Sequence, residues 1–337
     1  MATQNKQIII KARPHGDIVP DQVFETRVVP APTAADVKDG QILVEVLYLS
    51  LDPAMRFWLD GGGYMNLKLG DVMGGYGLVR VVASRAADVV AGDIGTAWAG
   101  WCSFAVITTD TFRKVEAPKF GKLSDAMGVL GLTGLTGYEG MLRVGRPKAG
   151  ETVVVSTAAG ATGSIAAQTA KINGARVIGI TGSDAKCQWL KELGLDVALN
   201  YKSPNFEQEF GAAVGDGLDV YFDNVGGKML EMALAKLNSN GRIAICGDIG
   251  NYNATERYGI TNYFQLALTG STMQGVNVFN YLDGAQALWK DMARLLDEGK
   301  LKRTDTVIKG KLEDAPAVLL DVYAGKNVGK MILDITS

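Results

Sequence analysis

A chain of 337 residues is long enough for two domains, each with its own core. Its 47% hydrophobic and 21% charged residues and its net charge of −2 suit a globular protein and give no electrostatic basis for binding nucleic acid or an anionic membrane. No apolar run approaches the roughly 20 residues of a membrane span. The apolar core of MATQNKQIIIKARPHGD is too short for a signal peptide, so a cytoplasmic location is expected. Cys102, Cys187, Cys246 and the single histidine, His15, are scattered without metal-ligand spacing. That argues against a catalytic zinc, which needs three protein ligands, and against a hydrolase that relies on a histidine base.

Residues 1 to about 120 read as β-rich, with short β-branched or alternating runs at 7–11, 24–29, 42–51, 77–84 and 103–108. Glycine and proline turns separate them, among them Gly61-Gly62-Gly63 and Ala91-Gly92-Asp93. The pattern predicts an antiparallel, barrel-like domain. Residues 124–144 follow as a helical connector, in which Gly131, Gly134 and Gly137 allow close packing.

From Gly150 the alternation becomes regular. Strands are expected at 152–156, 176–180, 197–200, 218–223 and 242–246, with a sixth at 271–278. Helices fall between them at 164–172, 185–193, 205–213 and 228–237. This is the signature of an α/β doubly wound parallel sheet of strand order 3-2-1-4-5-6, with its ligand outside the carboxyl ends of the strands. A long helix is then expected from about Tyr281 to Glu298, followed by a strand at 304–309, a helix at 313–323 and a closing strand at 330–335. The expected division is a β-rich domain of residues 1–125 with 285–337, and a dinucleotide-binding domain of residues 126–284.

The stretch 152–186, TVVVSTAAGATGSIAAQTAKINGARVIGITGSDAK, organises the second domain. A strand runs into small residues, then a helix, then a second strand, which is the first βαβ unit of a dinucleotide-binding (Rossmann) fold. Small residues let backbone N–H groups approach a pyrophosphate, and the helix N-terminus adds partial positive charge. The usual G-x-G-x-x-G reads Ala158-Ala159-Gly160-Ala161-Thr162-Gly163, with alanine in the first glycine place. Past the second strand, enzymes that use NAD place a carboxylate on the ribose hydroxyls. Here Thr181-Gly182-Ser183 leaves room for a phosphate and Lys186 can pair with it, favouring NADPH. Asp184 is either a helix cap or the ribose acid, and Lys186 could equally be a solvated helix residue.

Several separated motifs then coincide: YLSLDPAMR at 48–56, GLTGLTGY at 131–138, the 158–163 turn, GSDAK at 182–186, NYK at 200–202, DNVGG at 223–227, CGDIGNYN at 246–253 and NVGKM at 327–331. With them the chain resembles the medium-chain dehydrogenase/reductase superfamily, and within it the zinc-free NADPH-dependent double-bond reductases. These include leukotriene/prostaglandin, alkenal and curcumin reductases. The resemblance implies that the β-rich domain is GroES-like and that the enzyme is a homodimer. It also implies a reaction that saturates the C=C bond of an α,β-unsaturated ketone or aldehyde, the alternatives being an NADPH quinone oxidoreductase of the same superfamily and an NADPH-binding interaction protein without turnover.

By this resemblance Lys186 and Tyr201 match contacts to the 2′-phosphate, though Tyr201 could simply cap the end of a strand, and Gly160, Ala161, Thr162 and Gly163 are the turn residues at the pyrophosphate. Thr136, Asn224, Cys246, Gly247, Val276, Asn277, Val278 and Asn327 match further cofactor positions. Asn224 could equally be a turn residue before Val-Gly-Gly, and 276–278 alone would read as a buried strand.

Tyr252 follows the fifth strand and is the expected catalytic and substrate-binding residue. Hydride delivery to the β-carbon leaves negative charge on the carbonyl oxygen. A phenol, with a reference pKa near ~10, can donate a hydrogen bond to it or supply a proton. The alternative is an aromatic wall that only shapes the pocket.

Two departures from the family pattern stand out. Zinc-dependent relatives carry Gly-His-Glu where this chain has Gly74-Gly75-Tyr76-Gly77. Many double-bond reductases carry a pocket tyrosine where this chain has Ala54, so the substrate site is expected to be wider or more apolar there, unless Phe57, Trp58 or Tyr64 fills it.

Overall fold

Period-two alternation of β-branched residues lays down the first sheet, and the computed structural model describes residues 4–61, 65–115 and 121–336. Tyr64 lies outside the described residues, as do Gly62 and Gly63 of the expected turn. The chain forms two compact units, Met1–Met127 with Asp305–Ser337, and Gly128–Thr304.

In the first unit, β1 (Gln4–Ile10) and β2 (Phe24–Pro30) pair antiparallel around the short α1 (Pro20–Val23). The eleven-residue β3 (Gln41–Leu51) is the spine of a seven-stranded sheet. It leads into α2 (Met55–Leu59) and is followed by β4 (Tyr76–Ser84), β5 (Ile94–Trp98), β6 (Phe104–Thr108) and β7 (Arg113–Lys114). β3 pairs antiparallel with both β4 and β6. β5 was not expected; its Ile-Gly-Thr-Ala-Trp is short and broken by a glycine, so its strand character comes from pairing with β4.

The second unit opens with α3 (Leu132–Glu139), extended by a π-turn to Gly145. The alternating elements then follow as β8 (Thr152–Val155), α4 (Ala161–Ile172), β9 (Arg176–Thr181), α5 (Asp184–Glu192), β10 (Val197–Asn200), α6 (Phe206–Val214), β11 (Leu218–Asp223), α7 (Gly227–Leu234) and β12 (Leu237–Ile245). After them come α8 (Ile249–Tyr252), α9 (Gln265–Thr269), β13 (Thr272–Gly275) and α10 (Ala285–Asp297). The six strands are parallel in the order β10-β9-β8-β11-β12-β13, which is the expected 3-2-1-4-5-6. Side chains alternate between two cores, because successive residues of a strand point to opposite faces. Val153, Val155, Val177 and Phe222 pack with Ala166 and Ala170 of α4, whereas Val154, Ile178, Tyr221 and Ile243 pack with Phe210 of α6 and Leu234 of α7.

Three expectations need correction. The last long helix starts at Ala285 rather than near Tyr281, because Gly284 at φ +89° breaks the chain after a separate turn at Val278–Tyr281. That helix buries Met292, Leu295 and Leu296 with Val129, Leu135 and Ile165, so residues 285–304 belong with the second unit and not with the β-rich one. The sixth strand ends at Gly275, which leaves Val276, Asn277 and Val278 beyond it.

The chain returns to the first unit with β14 (Asp305–Lys309), α11 (Ala315–Tyr323) and β15 (Lys330–Asp334), which pairs with β3. No helix among the described residues is long and apolar enough to cross a membrane.

Candidate active site

Parallel pairing brings the carboxyl ends of all six strands of the second unit to one edge, and most of the expected site residues follow those ends. After β8 the chain turns through Thr157, whose φ of +52° lies in the left-handed region that non-glycine residues seldom occupy. That conformation explains the alanine in the first glycine place: the turn's unusual backbone sits at Thr157, while Ala158 is fully buried in the apolar core. Gly163 is required by close approach, since a Cβ there would stand 2.3 Å from the Thr157 carbonyl oxygen. Gly160 caps α4 without a side-chain hydrogen bond, and its carbonyl accepts from Ser164 N at 3.0 Å. The amides of Ala161, Thr162 and Gly163 therefore precede the helical ladder and have no acceptor within it, as an anion-binding helix start requires. Thr136 lies on α3, which packs against α4, and its hydroxyl donates to Leu132 O of its own helix.

The end of β9 builds a second polar cluster. Ser183 caps α5 by accepting from Lys186 N at 3.3 Å. Asn200 Nδ2 donates to Asp184 at 2.8 Å, so that carboxylate is engaged with the end of β10. Tyr201 N donates to Thr181 O, and its ring lies so close to Gly182 that a Cβ there would be 2.9 Å from the ring. Lys202 Nζ stands 5.8 Å from the centre of the Tyr201 ring. Lys186 is half-buried; burial lowers its pKa, and the positive charge of Lys202 lowers it further. Two neighbouring cations and a phenol beside a glycine are an arrangement that can hold a dianionic phosphate, whose charge would relieve the repulsion between the lysines. Lys202 was not among the expected site residues. Its signal was present in the NYK motif, one position past Tyr201, but a lysine in an exposed turn is common.

The ends of β11 and β12 are joined backbone to backbone. Asn224 donates from its backbone N to Ser156 Oγ at 2.8 Å and from Nδ2 to Ser156 O at 2.6 Å. Cys246 N and Gly247 N both donate to Asp223 O, at 2.8 and 3.0 Å. Burial, with the Asp223 charge second, pushes the Cys246 thiol up to about 12, so it is a neutral group and not a nucleophile. The half-buried Tyr252 ends α8, and its Oη accepts from Asp248 N at 3.2 Å. Val276 N donates to Ile245 O, and Asn277 Oδ1 accepts from Phe279 N. The Val278 side chain is buried with Leu135 and Met292.

Ala54 and Asn327 belong to the first unit. Ala54 precedes α2 and packs on the core of that unit, where Trp58 is buried and Phe57 partly so. The turn before Ala54 is fixed by the buried Lys330, whose Nζ donates to Leu51 O and Asp52 Oδ1, both at 2.7 Å. Asn327 Nδ2 donates to Gly329 O at 2.6 Å.

The donor set does not fit a zinc ion. Among the described residues no three His, Cys, Asp or Glu side chains are grouped to hold a metal. His15 is exposed, and the Cys102 thiol, which donates to Ala99 O, is pushed by burial up to about 12.

Comparison with known proteins agrees with this architecture. Residues 6–115 match the family model described as the N-terminal domain of oxidoreductase, and residues 161–298 match that described as zinc-binding dehydrogenase. The chain is 39% identical to prostaglandin reductase 1 of Bos taurus, over 92% of this chain and 93% of that protein. It is 36% identical to the NADP(+)-dependent 2-alkenal reductase of Nicotiana tabacum, over 98% of each. The crystal structure of CurA from Vibrio vulnificus in complex with NADPH superposes with a TM-score of 0.89 at 33% identity, covering 98% of this chain and 99% of that one.

Proposed function

The chain belongs to the medium-chain dehydrogenase/reductase superfamily, among its NADPH-dependent double-bond reductases, and we propose that it reduces the C=C bond of α,β-unsaturated ketones or aldehydes with Tyr252 as its catalytic residue. NADPH, when bound, supplies the hydride. The amides of Ala161, Thr162 and Gly163 at the start of α4 hold the pyrophosphate, and Lys186, Tyr201 and Lys202 hold the 2′-phosphate. Asn224, Cys246 and Gly247 line the remaining cofactor surface, with Thr136, Val276, Asn277 and Val278 assigned to it from the family pattern.

The observation that carries the reading is the hydrogen bond from Asp248 N to Tyr252 Oη. A backbone N–H donates to the phenol oxygen and so fixes where that oxygen stands, just past the end of β12. A phenol held there donates to the oxygen on which enolate charge develops, and its proton completes saturation. The test is turnover of an enone by Tyr252→Phe at saturating NADPH.

We assign the protein to the cytoplasm, since three free cysteines suit a reducing compartment. A homodimer is the assembly we favour. β13 is an edge strand of the six-stranded sheet, and its residues are exposed. Phe264 and Leu268, on the segment leading into it, are 63% and 66% exposed. An unpaired edge flanked by apolar side chains is suited to pairing with a second copy. Sedimentation of wild type against Met273→Pro tests it: a dimer that the variant dissociates supports the assembly, and a wild-type monomer refutes it.

A further inference from the structure

The buried carboxylate of Asp223 is not needed for any contact proposed above, yet it sits where three parts of the site meet. We propose that Asp223 is a positioning residue for Tyr252, acting through the 223–227 turn, and this rests on the reading of Tyr252 as the catalytic residue. Asp223 ends β11 and is fully buried. Its Oδ1 accepts from Val225 N at 3.0 Å and from Gly226 N at 2.9 Å, which folds the following residues into a tight turn. The turn offers its carbonyls to the Tyr252 segment. Asp223 O accepts from Cys246 N and Gly247 N, Asn224 O from Ile249 N at 3.2 Å, and Val225 O from Gly250 N at 3.0 Å. Four residues, Cys246, Gly247, Ile249 and Gly250, are thereby tied to three consecutive carbonyls whose directions Asp223 sets.

Close packing completes the bracket. Gly226 has φ +69°, a conformation that favours glycine, and packs against the Asp248 side chain, the residue whose N–H holds Tyr252 Oη. On the other side, Ser156 Oγ accepts from Asn224 N and lies 3.4 Å from Asp223 Oδ1. The same turn is thus tied to the strand that feeds the dinucleotide loop. Burial pushes the Asp223 carboxyl up, and the Gly226 and Val225 N–H groups act against that rise. An amide side chain at this position therefore keeps the essential acceptor.

The experiment compares wild type with Asp223→Ala, Asp223→Asn, Ser156→Ala, Tyr252→Phe and the Asp223→Ala/Tyr252→Phe double variant. Backbone amide exchange is first followed in the protein without nucleotide. Asp223→Ala is expected to speed exchange at Gly247, Ile249 and Gly250 by about 10-fold or more, with β8 and β9 unchanged, and Asp223→Asn to stay within about 3-fold of wild type. Ser156→Ala, a milder change, is expected to speed the same amides if Asp223→Ala does not fold.

Enone turnover at saturating NADPH is the second readout. Asp223→Ala is expected to lower kcat by about 10-fold with little change in KM. The double variant should be no more than about 2-fold slower than Tyr252→Phe, because the two residues act as one unit. Unchanged exchange in Asp223→Ala or in Ser156→Ala overturns the proposal, as do losses that multiply in the double variant. Wild-type turnover by Tyr252→Phe overturns the reading of Tyr252 itself, and with it the proposal, through an arm that leaves Asp223 untouched.

Discussion

Asp248 N donates to Tyr252 Oη at 3.2 Å across a single turn of helix, so the phenol oxygen is held by the same backbone that follows β12. Tyr252→Phe removes the oxygen and leaves that N–H to water. The expected result is a fall in kcat/KM for an enone of about 100-fold, the size of losing one oxyanion donor, with NADPH affinity unchanged. Stopped-flow absorbance and a separate binding titration check the two halves.

The lysine pair makes a prediction about cofactor choice. Charge-assisted hydrogen bonds contribute about 1.5–3 kcal/mol each. Lys186→Ala should therefore raise the NADPH dissociation constant by about 10- to 100-fold and leave that for NADH nearly unaltered. Lys202→Ala should act in the same direction and more weakly, since Lys202 is the more exposed of the two. Fluorescence titration with both nucleotides measures the ratio.

Gly163 tests the dinucleotide turn. Alanine there places a methyl 2.3 Å from Thr157 O, so either the helix or the strained turn must move. Overpacking of this kind costs about 1–3 kcal/mol, read as a lower denaturant midpoint. NADPH binding should weaken more than global stability does, because the shift falls on the amides that face the pyrophosphate.

The loop after Tyr252 carries a pH signature. Glu231 accepts from the Thr261 hydroxyl, the Tyr258 hydroxyl and Thr261 N, and these bonds hold its carboxyl down from 4.5 to about 2. A depressed carboxyl stabilises the folded arrangement fully above its unfolded value, and the contribution is lost as pH falls through the folded value. Segment 253–262 should therefore stay protected above about pH 4.5 and be released progressively toward about pH 2. Glu231→Gln should show more of that release already at neutral pH. Limited proteolysis with an acid-active protease, compared with proteolysis at neutral pH, follows both.

Much of this molecule was legible in its residues because local pattern and tertiary demand coincide. The apolar runs at 153–155 and 220–222 are buried on both faces, so continuous apolar character and strand placement agree. Gly163 was legible for the same reason, since a fingerprint position and a 2.3 Å contact ask for the same residue. Other features depend on contacts that sequence spacing does not reveal. Thr157 adopts a positive φ that its residue type disfavours, held by the surrounding turn. Asp223 reads as the end of a strand, and its grip on Val225 and Gly226 exists only once the turn has folded back. Lys202 looks like a solvated turn residue, and only the fold shows its charge acting on Lys186. Residues 285–304 follow the Rossmann unit because Met292 and Leu295 fill its core, a fact about packing and not about helix periodicity.

The most direct test of the central claim follows NADPH absorbance as the purified protein meets a panel of enals, enones and quinones, with NADH in parallel and products identified by mass. Saturated carbonyl products formed with a clear preference for NADPH are the predicted result. Turnover confined to quinones, or no oxidation of NADPH by any enal or enone, would contradict it.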